Sequence, residues 1–262
     1  MIKLNNCIIE QGRFPDRTLL IKFDKKFEFN NVIEWKYEND AEMFALMCLV
    51  NHIREHKHAR IELILPYVPN ARQDRVKSEE DIFTLKYFCQ FINSLKFDQV
   101  YVYDVHSNVS LALLDRVKNV SPKYRIIEAI DMLPGNNPLT LFYPDEGAMK
   151  RYSGDFLFPY AFGIKKRNWK DGTIEGLDLV GAVDNIAGKD ILIIDDICSR
   201  GGTFYHSAKA LKEAGAANIY LYITHCENTI HEGELLNSDL IKHIYTTDSI
   251  LTKRHEKITV IE

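Results

Sequence analysis

Along the chain, short apolar runs alternate with longer stretches in which apolar residues recur every third or fourth position. Met43, Phe44, Met47, Leu49 and Val50 fall at helical spacings and predict a helix over 40–54, with Asn39 or Asp40 placed to cap it. Ile61–Leu65 reads as a strand that Pro66 ends. The helical pattern returns over 82–95, and Gln99–Tyr103 is the next strand, because Val100, Val102 and two tyrosines suit a pleated surface. The alternation starts afresh from about Ser121. Strands are expected at Thr140–Tyr143, Lys189–Ile194 and Ile219–Thr224, with a helix over Thr203–Ala214 and Gly215 just past it, where a left-handed cap is wanted. Strand and helix in this order predict an α/β protein with mostly parallel sheets. Two halves of similar grammar are expected, residues 1–124 and 125–262.

Composition narrows the class without changing this picture. The chain has 262 residues, 46% hydrophobic and 27% charged, enough for two cores. A formal charge of -4 argues against general nucleic-acid binding, which needs a basic face to displace counterions. Cys7, Cys48, Cys89, Cys198 and Cys226 are scattered, odd in number and form no C-x-x-C, a pattern of reduced thiols rather than of a disulfide framework. No apolar run nears the roughly 20 residues that span a bilayer, and the first residues have no signal-peptide core. The expectation is a cytoplasmic protein with neither nucleic acid nor membrane as partner.

The most informative stretch is Ile191-Leu-Ile-Ile-Asp-Asp-Ile-Cys-Ser-Arg-Gly-Gly-Thr203. An apolar strand is expected to end in Asp195 and Asp196, and the loop Ser199, Arg200, Gly201, Gly202 and Thr203 then opens a helix. Ligands of open α/β sheets bind outside the carboxyl ends of the strands. Glycines let backbone N–H groups approach an anion closely, and a helix N-terminus favours negative charge. Two carboxylates beside such a cradle suit ribose hydroxyls, gripped directly or through Mg²⁺. No G-x-x-x-x-G-K-[ST] accompanies the strand, which weakens a reading as an NTPase strand.

This stretch resembles the phosphoribosyl-diphosphate motif shared by type I phosphoribosyltransferases and ribose-phosphate pyrophosphokinases. Further segments favour the second family. Ala71-Arg-Gln-Asp-Arg75 is similar to its ATP segment, Asp104-Val-His-Ser107 to its D-x-H-S segment, and Pro144-Asp-Glu-Gly-Ala-Met-Lys-Arg151 to its P-D-x-G-x-x-K-R stretch. Ile164-Lys-Lys-Arg167 falls where the family has its K-R-R catalytic loop, and Ile223–His225 and Thr246–Ile250 extend the likeness. Phe14-Pro-Asp16 resembles the F-x-D-G-E segment, with Arg17 and Thr18 in place of Gly-Glu.

The resemblance implies two tandem phosphoribosyltransferase-like α/β/α domains in a homodimer or higher homo-oligomer. The first domain binds ATP through Phe14, Asp16, Arg72, Gln73 and Asp74. In the second, Asp195, Asp196, Ser199, Arg200, Gly201, Gly202 and Thr203 hold a ribose phosphate. His106 and Asp145 attend Mg²⁺, the expected cofactor, and Lys165 and Arg167 stabilise the transition state. The implied reaction moves the β,γ-diphosphate of ATP to the C1 hydroxyl of ribose 5-phosphate, releasing AMP. Where the family loop is D-T-A-G-T, Ser199, Arg200 and Gly201 remove a negative charge and add a positive one. That change suits a larger acceptor such as ADP-ribose. A phosphoribosyltransferase remains open, although it gives no reason for Ala71–Arg75. A catalytically silent regulatory subunit also remains open, although Lys165 and Arg167 are both retained.

Two other features compete for attention. His52-Ile-Arg-Glu-His56 fits H-x-x-E-H, the inverted zinc-protease pattern, with His58 beyond it. No third ligand stands at a supportive spacing, so solvated histidines at a helix end are expected. Cys198 lies inside the phosphate loop with no base beside it in sequence, and reads as a small core or loop residue.

Overall fold

The computed structural model describes residues 1–23, 27–56, 59–167 and 174–261; the side chains of 165–167 and 174–175 lie outside that description. The chain divides into two compact units, Met1–Ser121 and Pro122–Glu262. Among the described residues no helix is long and apolar enough to cross a membrane.

In the first unit the chain forms β1 (Ile2–Leu4), β2 (Cys7–Ile8), β3 (Glu10–Arg13), β4 (Leu19–Lys22), β5 (Asn30–Trp35), α1 (Ala41–His56), β6 (Arg60–Leu65), α2 (Thr84–Ser94), β7 (Gln99–Tyr103), α3 (Asn108–Leu113) and β8 (Val117–Val120). Its main sheet has the order β2-β1-β5-β6-β7-β8. Strands β5 to β8 are parallel, and β1 and β2 join antiparallel. Along β6 burial alternates: Ile61, Leu63 and Leu65 are inaccessible while Glu62 and Ile64 are half-covered. That period of two sends one face into the core.

The buried stripe of α1 is Ala45, Leu46, Leu49, Val50 and Ile53, whereas Phe44 is 55% exposed. The apolar spacing thus predicted the helix but misplaced part of its inner face by one position. Of the two candidate caps, Asn39 supplies the oxygen, accepting from the Ala41 amide at 3.1 Å.

The second unit contains α4 (Lys123–Asp131), β9 (Leu139–Tyr143), α5 (Glu146–Tyr152), β10 (Tyr160–Arg167), β11 (Ile174–Gly181), β12 (Asp190–Cys198), α6 (Gly202–Glu213), β13 (Asn218–Cys226), β14 (His243–Thr247) and β15 (Ile258–Ile261). The sheet order is β11-β10-β9-β12-β13-β14-β15, parallel except for the β10–β11 edge pair. Successive residues of β12 feed opposite cores. Ile191 and Ile193 pack with Phe204, Ala208 and Leu211 of α6, while Leu192 and Ile194 pack with Ile126, Ala129 and Tyr143. Coverage on both faces explains why this strand is a continuous apolar run.

Two expectations need correction here. The strand expected to end at its paired acids continues through Asp195 and Asp196 to Cys198, because β13 supplies a backbone partner as far as Cys226. Ile164–Arg167, expected in a loop, belongs to β10, with Ile164 opposite Asp178 of β11.

Candidate active site

In the first unit, the Ala71–Arg75 segment leaves β6 and leads towards α2. Asp74 is 6% exposed, and its Oδ1 accepts from Arg75 Nε at 2.8 Å while Oδ2 accepts from Arg75 Nη2 at 3.3 Å. These bonds hold the Asp74 carboxyl below the usual carboxylate range, and a hydrogen bond from Ser107 and the nearby His106 act in the same direction. The fold therefore joins the Arg-Gln-Asp-Arg and Asp-Val-His-Ser segments at Asp74. Ser107 also caps α3, accepting from the Val109 amide at 3.3 Å. Gln73 is pinned at the start of α2, where the Thr84 hydroxyl donates to its Oε1 at 2.6 Å. Arg72 is exposed beside it.

Phe14 and Asp16 occupy the tip between β3 and β4, which pair as a separate two-stranded sheet. The Asp16 carboxylate accepts from the Thr18 amide at 3.0 Å and hydroxyl at 2.7 Å, which keeps its carboxyl below the ordinary range. Arg17 has φ +70°, a left-handed position that a glycine fills at lower cost. The resembling family segment has its glycine at that place.

In the second unit three carboxylates gather at the C-terminal ends of adjacent strands β9 and β12. Asp145 caps α5, its Oδ1 accepting from the Ala148 amide at 3.0 Å. Asp196 is 2% exposed and meets Arg151 Nη1 at 3.0 Å. The Arg151 guanidinium also lies 5.3 Å from the Tyr152 ring centroid. Asp195 is different. Loss of water raises its carboxyl well above the usual range, and the neighbouring Asp196 and Asp145 charges push the same way. Sequence alone presents the two aspartates as an equivalent pair; the structure gives Asp196 a cation and leaves Asp195 among like charges.

The loop after β12 opens α6 without a side-chain cap, and Gly201 takes φ +80° at the cap position. The first amides of the helix are thus available to an external acceptor. A Cβ on Gly201 would approach Leu235 Cδ2 to 2.8 Å, so a side chain there would have to displace Leu235 as well as adopt a left-handed backbone. The Ser199 hydroxyl pairs with Thr229 at 3.0 Å, and Thr229 donates to Glu227 at 3.1 Å. Arg200 meets Glu232 at 3.1 Å, with both side chains largely in solvent. Gly202 is exposed and Thr203 half-buried in the first turn of α6. Bordering the loop is a cavity of about 480 Å³ lined by Tyr205, Glu232, Gly233, Glu234, Asn237 and Ser238.

Cys198 is the last residue of β12 and is 1% exposed; a hydrogen bond with Cys226 and burial raise its thiol well above the usual range, which makes it a core residue. The Ile223–His225 and Thr246–Ile250 segments meet where His225 Nδ1 lies 2.9 Å from the Ser249 hydroxyl. Lys165 and Arg167 lie on β10, but their side chains fall outside the described residues.

Arg75, Ser107 and Arg151 are the residues that sequence reasoning passed over. All three stood inside quoted motifs. The available signal was the rule that a buried carboxylate needs a cation or several donors.

Comparison with known proteins bears on sequence and fold. Residues 175–261 match the family described as phosphoribosyl synthetase-associated domain. The chain is 29% identical over 251 residues to the ribose-phosphate pyrophosphokinase of Pasteurella multocida, covering 91% of this chain and 78% of that one. It is 26% identical over 259 residues to the Pyrococcus abyssi protein of the same name, covering 97% and 88%. The phosphoribosylpyrophosphate synthetase from Mycobacterium smegmatis superposes with a TM-score of 0.78 at 18% identity, covering 97% of this chain and 85% of that one. In sequence and in its two-sheet fold, the chain is similar to the ribose-phosphate pyrophosphokinases.

Proposed function

We propose that the chain is an ATP-dependent diphosphotransferase that converts ATP and ribose 5-phosphate to 5-phosphoribosyl 1-diphosphate and AMP. The observation that carries this reading is the uncapped start of α6 beside Asp195 and Asp196. It is an anion cradle with sugar-binding carboxylates at its edge, in a chain that also has the Asp74-centred segments its pyrophosphokinase relatives lead one to expect. In this reading residues 1–124 serve ATP through Phe14, Asp16, Arg72, Gln73 and Asp74, and residues 125–262 serve the sugar phosphate. A homodimer or larger homo-oligomer is part of the proposal.

Each group has a task that its chemistry suits. Backbone amides of Gly201 to Thr203 donate to the 5-phosphate, and Asp195 and Asp196 orient the ribose hydroxyls. The C1 hydroxyl attacks the β-phosphorus and AMP leaves, so positioning and charge stabilisation do most of the catalysis. Lys165 and Arg167 meet the charge that grows on the phosphoryl oxygens. The donor set fits Mg²⁺: Asp145 and Asp195 offer oxygen ligands, and the burial and like charges that raise Asp195 are what a divalent cation would offset. Mg²⁺ when bound, with His106 also in attendance, neutralises charge on the transferring diphosphate.

A second acceptor, ADP-ribose, is favoured by Arg200, a largely solvent-exposed cation on the loop. The test is AMP release from ATP and Mg²⁺ by the purified chain, with ribose 5-phosphate and ADP-ribose in separate reactions and products weighed by mass spectrometry. A 1-diphosphate product with ribose 5-phosphate supports the first reading. Product with ADP-ribose alone transfers the same chemistry to the larger acceptor, and AMP with neither sugar overturns both.

A further inference from the structure

The last turn of α1 carries a cluster that the proposed reaction does not use. His52, Glu55 and His56 are exposed, and one ligand-capable atom from each lies within 4.8 Å of the other two. Their spacing of three and four residues puts all three on one helix face. His56 Nδ1 is 2.9 Å from the His52 carbonyl oxygen. A carbonyl can only accept, so Nδ1 carries the hydrogen and the lone pair of the neutral ring sits on Nε2. A backbone carbonyl fixing the tautomer in this way is the usual outer partner of a metal-binding histidine.

The rings are also held in place. The His52 and His56 centroids are 4.2 Å apart, and the Phe27 ring lies edge-on to His52 at 5.4 Å and tilted against His56 at 6.2 Å. Packing against Phe27 lowers the rotamer freedom that binding would otherwise remove. The cluster stands at the negative end of a 16-residue helix, which favours a cation. Two imidazole nitrogens and one carboxylate suit a borderline ion such as Zn²⁺, and are too nitrogen-rich for Mg²⁺.

We propose that His52, Glu55 and His56 form a surface site for one zinc-like divalent transition-metal ion, with water completing its coordination. The site is distinct in ligands and in metal preference from the Mg²⁺ set of the proposed reaction. Bound metal clips the last turn of α1 to itself.

The test titrates the metal-stripped full chain with zinc chloride against a chromophoric chelator. The wild type is expected to take up one equivalent more than the His52→Ala/His56→Ala double variant, and Glu55→Gln is expected to bind at least tenfold more weakly than wild type. Zinc should raise the Tm of the wild type and leave that of the double variant unchanged. Mg²⁺-supported AMP release should be the same in all three proteins, since none of these residues belongs to the proposed machinery. Because all three side chains are exposed, the variants are expected to fold, which circular dichroism verifies. Equal zinc uptake by wild type and double variant overturns the site.

Discussion

Arg151 Nη1 sits 3.0 Å from Asp196 Oδ1, and the aspartate is almost wholly buried while the arginine is about a quarter exposed. The pair therefore gives one of the two acids of the proposed ribose site a cation of its own. Removing the arginine takes a charge-assisted hydrogen bond from a buried carboxylate, which costs about 1–3 kcal/mol after allowance for the solvent that still reaches Arg151. Arg151→Ala is expected to lower the urea midpoint accordingly, and Arg151→Lys to recover part of it. A midpoint unchanged in Arg151→Ala would show that solvent already satisfies Asp196.

Asp195 leads to the opposite expectation. Its folded-state pKa is raised, so the folded protein binds a proton that the unfolded chain has already released. Stability thus falls as pH rises from the ordinary aspartate range through the raised pKa. Asp195→Asn should be more stable than wild type at neutral pH, and the gap should close on acidification. Activity should be lost. Thermal melts of both proteins from pH 4 to 8 check the sign; a gap that widens on acidification contradicts it.

Asp74 titrates the other way. Hydrogen bonds from Arg75 and Ser107 lower its pKa, so its contribution is present above the ordinary aspartate range and lost as pH falls through the depressed value. Asp74→Ala is expected to cost about 1 kcal/mol, because Arg75 is largely in solvent and water takes over its bonds. A double-mutant cycle with Arg75→Ala should give a favourable coupling that salt weakens. If Asp74 acts mainly by supporting its segment, the KM for ATP should rise in both single variants; a rise in Asp74→Ala alone would point to direct nucleotide contact.

Lys165→Ala should reduce turnover by about 10²–10³-fold, the usual effect of removing a group that stabilises transition-state charge. Binding of the sugar phosphate should change little, because that task is assigned to the α6 cradle. Calorimetry with ribose 5-phosphate separates the two quantities. An unchanged turnover number removes Lys165 from the mechanism.

Long apolar elements were legible in the sequence. Strand β7 spans Gln99–Tyr103 as its residues predict, and α6 ends before Gly215, which has φ +88°. Strand β3 was not legible because Glu10, Gln11, Gly12 and Arg13 give no apolar alternation, and only pairing with β4 makes them a strand. The paired acids of β12 argued for a strand end, yet the β13 ladder carried pairing three residues beyond Asp195, since Cys198 still pairs with Cys226. In the candidate site the motifs named the segments but not their counter-ions. Arg151 and Asp196 are far apart in sequence, and only the packing of α5 against β12 makes them neighbours.

Gly233 has a consequence for anyone exchanging parts of this protein. A side chain there would run into the Arg200 carbonyl, while Gly201 on the same loop has no space towards Leu235. The loop 199–203 and the segment 228–236 are therefore one module. A graft from a relative that replaces the first without the second carries a mismatch built into its seam, and chimaeras cut outside both segments keep the cradle whole.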